Sequence, residues 1–547
     1  MKNNILEKAI SNALTTIGLE QEVEIAFEKP NNPEHGDVST NIALQLASAL
    51  KNSPRKIAEN IVDNLHFDQS IIDKIEIAGP GFINFKFNNN YFTNQLDEIL
   101  LENDSYGKQT IGKGIKVNVE YVSANPTGLL HLGHGRNAAI GDTIANIYTW
   151  LGYDVTREYY FNNAGNQMNN LVNSIYVRYM NELGDTTLEF PEDGYHGDYV
   201  IDIAKELIKD YGDELKEGNF QDRIAIKKFG ETWCFDKIKK TLSKMNIEQD
   251  VFYNEDSLYK DGKINDVIND LKEVNLVYEK DGATWLKLSE MGLDDDRVIV
   301  KSSGEPTYRL PDIAYHKEKF KRGFDKIIDV FGADHIATIP DVMAAVKHLG
   351  YNVDNIKVVI HQFVTLTKDG QQVKMSKRTG KSYTLDDLLD EVGDEVVRFF
   401  LIMRGNTTHL EFDLSLATEN SDKNPVFYLK YAHARICSIL ENIENSEIIL
   451  KEKPNFDLLN SEDEINLTKS ILEFPKSISL AAEKYEPQII VEFLREFASN
   501  FSSFYHNCRI KGEEPELLKT RLHLANIAKT VLKNGLTIIG ISAPNKM

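Results

Sequence analysis

The chain has 547 residues, enough for two to four domains, each burying a core of its own. Its 41% hydrophobic and 27% charged residues are those of an ordinary soluble globular protein, and no apolar run nears the roughly 18–20 residues of a membrane span. A formal net charge of −22 argues against a protein that coats itself with nucleic acid, yet leaves room for a nucleic-acid substrate gripped by local basic patches.

The N-terminal "MKNNILEKAISNALTTIG" reads as an amphipathic helix without the apolar core of a secretory signal, so a cytoplasmic location is expected. Residues 1–110 alternate helical stretches ("NIALQLASALKN") with strand-like ones ("IDKIEIAGPGFINFKF"), the pattern of a small α+β domain that ends in the polar segment "LENDSYGKQTIGKG". From Ile115 the pattern changes. Ile115, Val117, Val119 and Tyr121 alternate with polar partners as in a strand, and Ala139, Ile140, Ile144, Ile147, Tyr148 and Leu151 follow at helical spacing up to Gly152. "YDVTREYYF" then reads as a second strand, which completes a right-handed βαβ unit of a parallel sheet.

The acidic, mostly helical stretch from about 165 to 295 reads as an insertion into that sheet, with its body at about 175–295. Short strands and helices return with "RVIVKSSGEPTYRLPDIAYH" and "VDNIKVVIHQFVTL", and residues 425–547 are helical almost throughout. The expected fold class is α/β: a Rossmann-like parallel-sheet domain over 111–424 with a helical insertion, an N-terminal α+β domain, and a C-terminal all-α bundle. Cys234, Cys437 and Cys508 have neither metal-ligand nor disulfide spacing, so free thiols and no structural zinc are expected.

Two motifs carry chemistry. In "NPTGLLHLGHGRNAAIGD", residues 125–142, a turn follows the first sheet strand and His131 and His134 enter a helix one turn apart. A helix N-terminus at the end of a parallel strand favours anions, and imidazoles there can donate to phosphate oxygens while Gly133 admits a flat base. In "KMSKRTGK", residues 374–381, four cations sit in a glycine-bearing loop suited to closing on a polyphosphate.

The pair of motifs, in this order, resembles the class I aminoacyl-tRNA synthetases. "VEYVSANPTGLLHLGHGRNAAIGD", "NAGNQM", "GEPTYRLPDIAY", "FGADH", "NPVFYLKYAHAR" and "GISAPNKM" narrow the resemblance to the arginyl-tRNA synthetase family over nearly the whole chain. The resemblance implies an enzyme that activates arginine with ATP to arginyl-adenylate and transfers it to the terminal ribose of tRNA(Arg), with Mg2+ accompanying the ATP and the first step dependent on bound tRNA. It places ATP against Ala124, Asn125, Pro126, Thr127, Gly128, Leu129, Leu130, His131, Leu132, Gly133 and His134, with Lys374, Met375, Ser376 and Lys377 as the lysine loop. Of these, His131, His134, Lys374 and Lys377 take the catalytic roles.

The same resemblance gives an arginine pocket of Glu120, Ser123, Asn125, Gln167, Tyr308 and Asp312. The chemistry agrees, because a guanidinium is a planar fork of donors that matches carboxylates and rejects neutral citrulline. The N-terminal domain would contact the tRNA elbow. In the C-terminal anticodon-binding domain, Tyr428, Tyr431 and His433 would offer stacking surfaces and Lys430 and Arg435 phosphate contacts. A monomer without membrane contact is expected, and truncation before Pro425 is expected to leave a soluble catalytic body. A class I synthetase of another specificity, a small-molecule nucleotidyltransferase and a non-catalytic tRNA-binding paralogue are the competing readings.

Overall fold

The computed structural model describes residues 4–19, 23–30, 32–67, 70–373 and 383–547. The site is built on a five-stranded parallel sheet whose strands lie in the order Ile356–His361, Lys326–Gly332, Lys116–Glu120, Asp154–Phe161 and Val251–Asn254. The first strand in sequence is central: the chain runs outward from it on one side, then returns to build the other. That reversal is the switch point where open parallel sheets bind ligands, outside the C-terminal ends of the strands.

The expected βαβ unit is present as Lys116–Glu120, the helix Leu132–Trp150 and Asp154–Phe161. Almost the whole helix surface is buried, which explains its small residues. A Cβ at Gly141 would lie 2.3 Å from Tyr121, so only glycine lets this helix sit so close to the central strand. Gly152 takes φ +85° just beyond the helix, as the sequence suggests.

The stretch read as inserted is helical at first. Gly165–Glu182, Tyr199–Tyr211 and Phe220–Lys244 share a core of Leu171, Ile175, Val200, Ile203, Leu207 and Ile226. Within the same stretch, however, Val251–Asn254 returns to form the edge strand of the main sheet. Four half-buried residues are too few for alternation to announce a strand. A three-stranded antiparallel sheet follows, in the order Arg297–Val300, Ala283–Leu286, Val277–Lys280.

The N-terminal α+β expectation holds: an antiparallel sheet ordered Phe27–Glu28, Val38–Thr40, Phe82–Phe87, Ile72–Ala78 packs on the helices Asn4–Thr16 and Pro54–Asp63 through Leu6, Ile10, Ile57, Ile61 and Phe85. The C-terminal region is helical, with Pro425–Glu441, Glu462–Lys484, Gln488–Asn507 and Pro515–Ile538 as its long elements.

The chain forms two compact units, one of residues 1–106, 436–473 and 499–531, the other of 107–435, 474–498 and 532–547. The second unit therefore includes pieces of the C-terminal helices. Within it Asn146 donates to the Ile538 carbonyl (3.1 Å), Gln109 to that of Pro475 (3.0 Å), and the buried Arg398 to those of Ile539 (2.6 Å) and Met245 (3.0 Å). Cutting before Pro425 would take the Ile539 carbonyl from the buried Arg398 guanidinium, leaving it that of Met245, and would remove the partners of Asn146 and Gln109. The compact unit that holds the parallel sheet thus does not end before Pro425.

Candidate active site

The central strand ends on two consecutive residues with left-handed backbone, Val122 (φ 70°) and Ser123 (φ 47°). A β-branched residue at positive φ is strained by about 1–3 kcal/mol and persists only where its surroundings hold it. The kink turns Ser123 back over the strand. Its hydroxyl donates to Glu120 (2.9 Å) and accepts from the Tyr160 N–H (3.2 Å).

Beyond the turn the chain reaches the two histidines. His131 is the N-cap of Leu132–Trp150, with its Nδ1 accepting from the N–H groups of Gly133 (3.1 Å) and His134 (3.4 Å). The His131 N–H donates in return to His134 Nδ1 (3.3 Å), a capping box built from imidazoles. The rings stack with centroids 3.7 Å apart. Burial, with His131 and His361 nearby, pushes the His134 pKa down to about 3, so this ring is neutral. Because the His134 Nδ1 is an acceptor, that neutral ring carries its proton on Nε2 and is an N–H donor rather than a cation. Gly133 serves this stack directly, since a Cβ there would lie 3.0 Å from the His131 ring.

The other half of the site is acidic. The sheet register sets Asp329, Glu120 and Glu158 side by side on three adjacent strands. Three like charges in one buried row are untenable unless countered. The helix Arg309–Lys321 covers them and supplies the counterions at helical spacing. Fully buried Lys319 donates to Glu120 and Asp329 (2.6 Å each), His316 Nε2 lies 3.0 Å from Asp329, and Arg322 just beyond makes a two-pronged 2.6 Å pair with Glu158. Burial raises the Glu120 pKa despite Lys319, whereas Lys319 and His316 outweigh burial at Asp329 and hold it well below the carboxylate range.

One turn before His316 stands Asp312. Its carboxylate has no hydrogen-bond or ion-pair partner among the described residues. Burial first, then the charges of Glu120, Glu255 and Asp329, push its pKa up to about 7 against the opposing His316. Glu255, at the end of the edge strand, is buried and among the described residues accepts only from neutral donors, Tyr160 (2.8 Å), Asn162 (2.8 Å) and Tyr259 (3.5 Å). Two carboxylates with no ion pair among the described residues thus lie close enough for the charge of Glu255 to act on Asp312, and a bound cation would relieve both.

The loop between strand and helix is anchored through its backbone. Tyr159 donates to Ala124 O (2.7 Å), Tyr199 to Thr127 O (2.8 Å) and the Leu385 N–H to Leu130 O (2.8 Å). Tyr199 also lies 3.0 Å from where a Gly128 Cβ would be, while Leu129 packs on the helical core and Pro126 and Leu132 are buried. Asn125 joins the loop to the next helix, donating to Gln167 (2.7 Å) and accepting from the Asn162 N–H (2.9 Å). Tyr308 is 78% exposed at the start of Arg309–Lys321, and Arg309 is paired with Asp341 (2.6 Å). Lys374, Met375, Ser376 and Lys377 lie outside the described residues.

Glu255, Tyr160, His316, Lys319 and Asp329 were absent from the sequence reading. A signal existed for part of the set, because Asp312, His316 and Lys319 share one helix face in "DIAYHKEKF". In the C-terminal helix, Arg435 lies over the Tyr431 ring (4.8 Å) and donates to its hydroxyl (3.0 Å), and Lys430 is paired with Glu395. His433 is buried, with Nδ1 2.9 Å from the Pro544 carbonyl, so it offers no stacking surface.

Family models match the chain in three places: the arginyl tRNA synthetase N terminal domain over residues 4–87, the tRNA synthetases class I (R) catalytic domain over 95–413, and the DALR anticodon binding domain over 429–547. The chain is 48% identical over 560 residues to an arginine–tRNA ligase of Salinibacter ruber, covering 99% of each. To that of Bacillus subtilis it is 45% identical over 549 residues, covering 100% of this chain and 99% of the relative. The solved arginyl-tRNA synthetase of Thermus thermophilus superimposes with a TM-score of 0.76 over 100% of both chains; at 22% identity this speaks for the fold alone. Matched by the class I (R) catalytic-domain model over more than half its length and by relatives 45–48% identical almost end to end, the chain belongs to the arginine–tRNA ligase family of class I aminoacyl-tRNA synthetases.

Proposed function

We propose that the protein activates arginine with ATP at this cleft and esterifies it to the 3′-terminal ribose of tRNA(Arg). The observation that carries the specificity is the unpartnered Asp312 carboxylate beside Glu255. Arginine's guanidinium spans both, replacing repulsion with two charge-assisted contacts, while Glu120 is already engaged by Lys319 and Ser123 and orders the floor. Ser123, Asn125 and Gln167 line the path to the imidazoles, and Tyr308 closes over the planar group.

The arginine carboxylate attacks the α-phosphorus, the bond to the β-phosphate oxygen breaks, and pyrophosphate leaves. The tRNA ribose hydroxyl then attacks the activated carbonyl and AMP departs. No protein nucleophile is needed, since positioning and charge stabilisation suffice. The Nε2–H groups of His131 and His134 donate to the triphosphate, and Lys374 and Lys377 take the loop role that the family resemblance gives them. Mg2+ arrives with ATP as part of the substrate.

The Arg435–Tyr431 pair and Tyr428 form a stacking platform for anticodon bases, with Lys430 reaching phosphate when it leaves Glu395. The N-terminal domain contacts the tRNA elbow. No helix among the described residues is long and apolar enough to cross a membrane, and we place the enzyme in the cytoplasm as a monomer. Pyrophosphate exchange with each of twenty amino acids, with and without tRNA(Arg), tests the reading. Exchange with arginine alone, dependent on tRNA, is expected, and exchange with another amino acid would overturn it.

A further inference from the structure

Asn137 lies on the second turn of Leu132–Trp150, 6% exposed. Asparagine is a poor helix former, and a buried amide is costly unless its groups are met. Here they are met by three separate strand ends. Oδ1 accepts from the Val122 N–H (2.6 Å), and Nδ2 donates to the Val330 carbonyl (2.8 Å) and lies 3.2 Å from His361 Nε2. Only one orientation of the amide satisfies an N–H donor and a carbonyl acceptor together, so its second Nδ2 proton is directed at His361 Nε2. His361 then carries its own proton on Nδ1, 3.2 Å from the Gln362 carbonyl.

The three partners bear on different halves of the cleft. Val122 is the first residue of the strained turn that aims the Ser123 hydroxyl at Glu120. Val330 follows Asp329, the acid held by Lys319 and His316. His361 is a buried neighbour of His134. We propose that Asn137 is a positioning residue for arginine activation: one side-chain amide holds the Val122–Ser123 turn, the strand end at Val330 and the His361 imidazole, and so fixes the arginine-facing and ATP-facing halves of the cleft relative to each other. This rests on the assignment of the cleft given above.

The test is steady-state kinetics of arginine-dependent pyrophosphate exchange with tRNA(Arg) present, on the full chain and three variants, each checked by thermal melting. Asn137→Ala is expected to raise the KM of arginine and of ATP together, with kcat/KM falling on the order of 10²-fold, as displacements of about 1 Å do. His361→Phe removes, of the three Asn137 contacts, the ATP-facing one, and is expected to raise the ATP KM while leaving that of arginine within about twofold. Asn137→Asp keeps the acceptor for Val122 N–H but faces the Val330 carbonyl with a second oxygen, which becomes a donor only on protonation. The ratio of its kcat/KM to wild type is therefore expected to rise as pH falls from about 8 to about 6. Taking the ratio to wild type removes the effect of the other titratable groups facing this position, His361 with His134 and His131 beyond it.

A merely structural amide would lower the melting temperature of Asn137→Ala and leave both KM values within about twofold, which overturns the proposal. A pH-independent ratio for Asn137→Asp, or His361→Phe raising both KM values or neither, overturns it too, and these two variants decide should Asn137→Ala fail to fold. A wild type inert toward arginine would instead bring down the reading of the cleft itself, and this proposal with it.

Discussion

On the proposed assignment of the pocket, Asp312 ties arginine binding to pH. With its pKa raised to about 7, the carboxyl is largely neutral at pH 6 and ionised at pH 8. Burial among like charges means that ionising it destabilises the folded chain increasingly from its ordinary titration range up to about 7, and a bound guanidinium reverses that. Arginine should therefore raise the melting temperature more at about pH 8 than at about pH 6, and its KM should climb as pH falls below about 7. In Asp312→Asn both dependences should vanish and kcat/KM for arginine should fall by about 10² or more, the effect of leaving a desolvated charge without its mate. A thermal-shift titration and a pH series of KM measure both. The residue itself is prominent in "TYRLPDIAY", but its isolation is not, because whether a carboxylate lacks a partner depends on Glu255 and Glu120, which only the folded sheet brings near.

At the scale of elements, the helix Arg309–Lys321 and the acid row beneath it stand or fall together. Lys319→Met is close in volume but leaves buried Glu120 with the Ser123 hydroxyl and buried Asp329 with His316, and should cost about 3–5 kcal/mol. The loss should shrink in acid as Glu120 and Asp329 take up protons, so melting of this variant and wild type should converge toward about pH 4. A full loss persisting at that pH would remove the charge argument in favour of simple packing. Local pattern found the strand Lys116–Glu120 and the helix Leu132–Trp150, whose alternation and period lie within one short stretch of chain. It did not find the row Asp329–Glu120–Glu158, because register between distant strands leaves no mark on either sequence, nor the four-residue edge strand that delivers Glu255.

For the molecule as a whole, the order of domains along the sequence understates how the catalytic unit is made, since its last segment is Leu532–Met547. Deleting that segment should abolish pyrophosphate exchange as well as tRNA charging, with a lowered melting temperature, because Arg398 and Asn146 lose the carbonyls of Ile539 and Ile538. A deletion variant that keeps exchange and fails only at charging would restore the simpler division between a catalytic front and a tRNA-reading back. The all-helical pattern of residues 425–547 showed what kind of element lies there but gave no hint of which helix completes which body, for that is decided by buried hydrogen bonds between residues hundreds of positions apart.

The acid row has an implication for anyone wishing to retarget such an enzyme. Among the described residues, the cations paired with it come from a single short stretch, His316 to Arg322, so on the proposed assignment the polarity of the amino-acid chamber is governed by one segment rather than by scattered side chains. Redesign toward an uncharged amino acid must therefore rewrite helix and strands in concert; editing the chamber wall alone would strand charge in the interior and forfeit the fold before the preference changes.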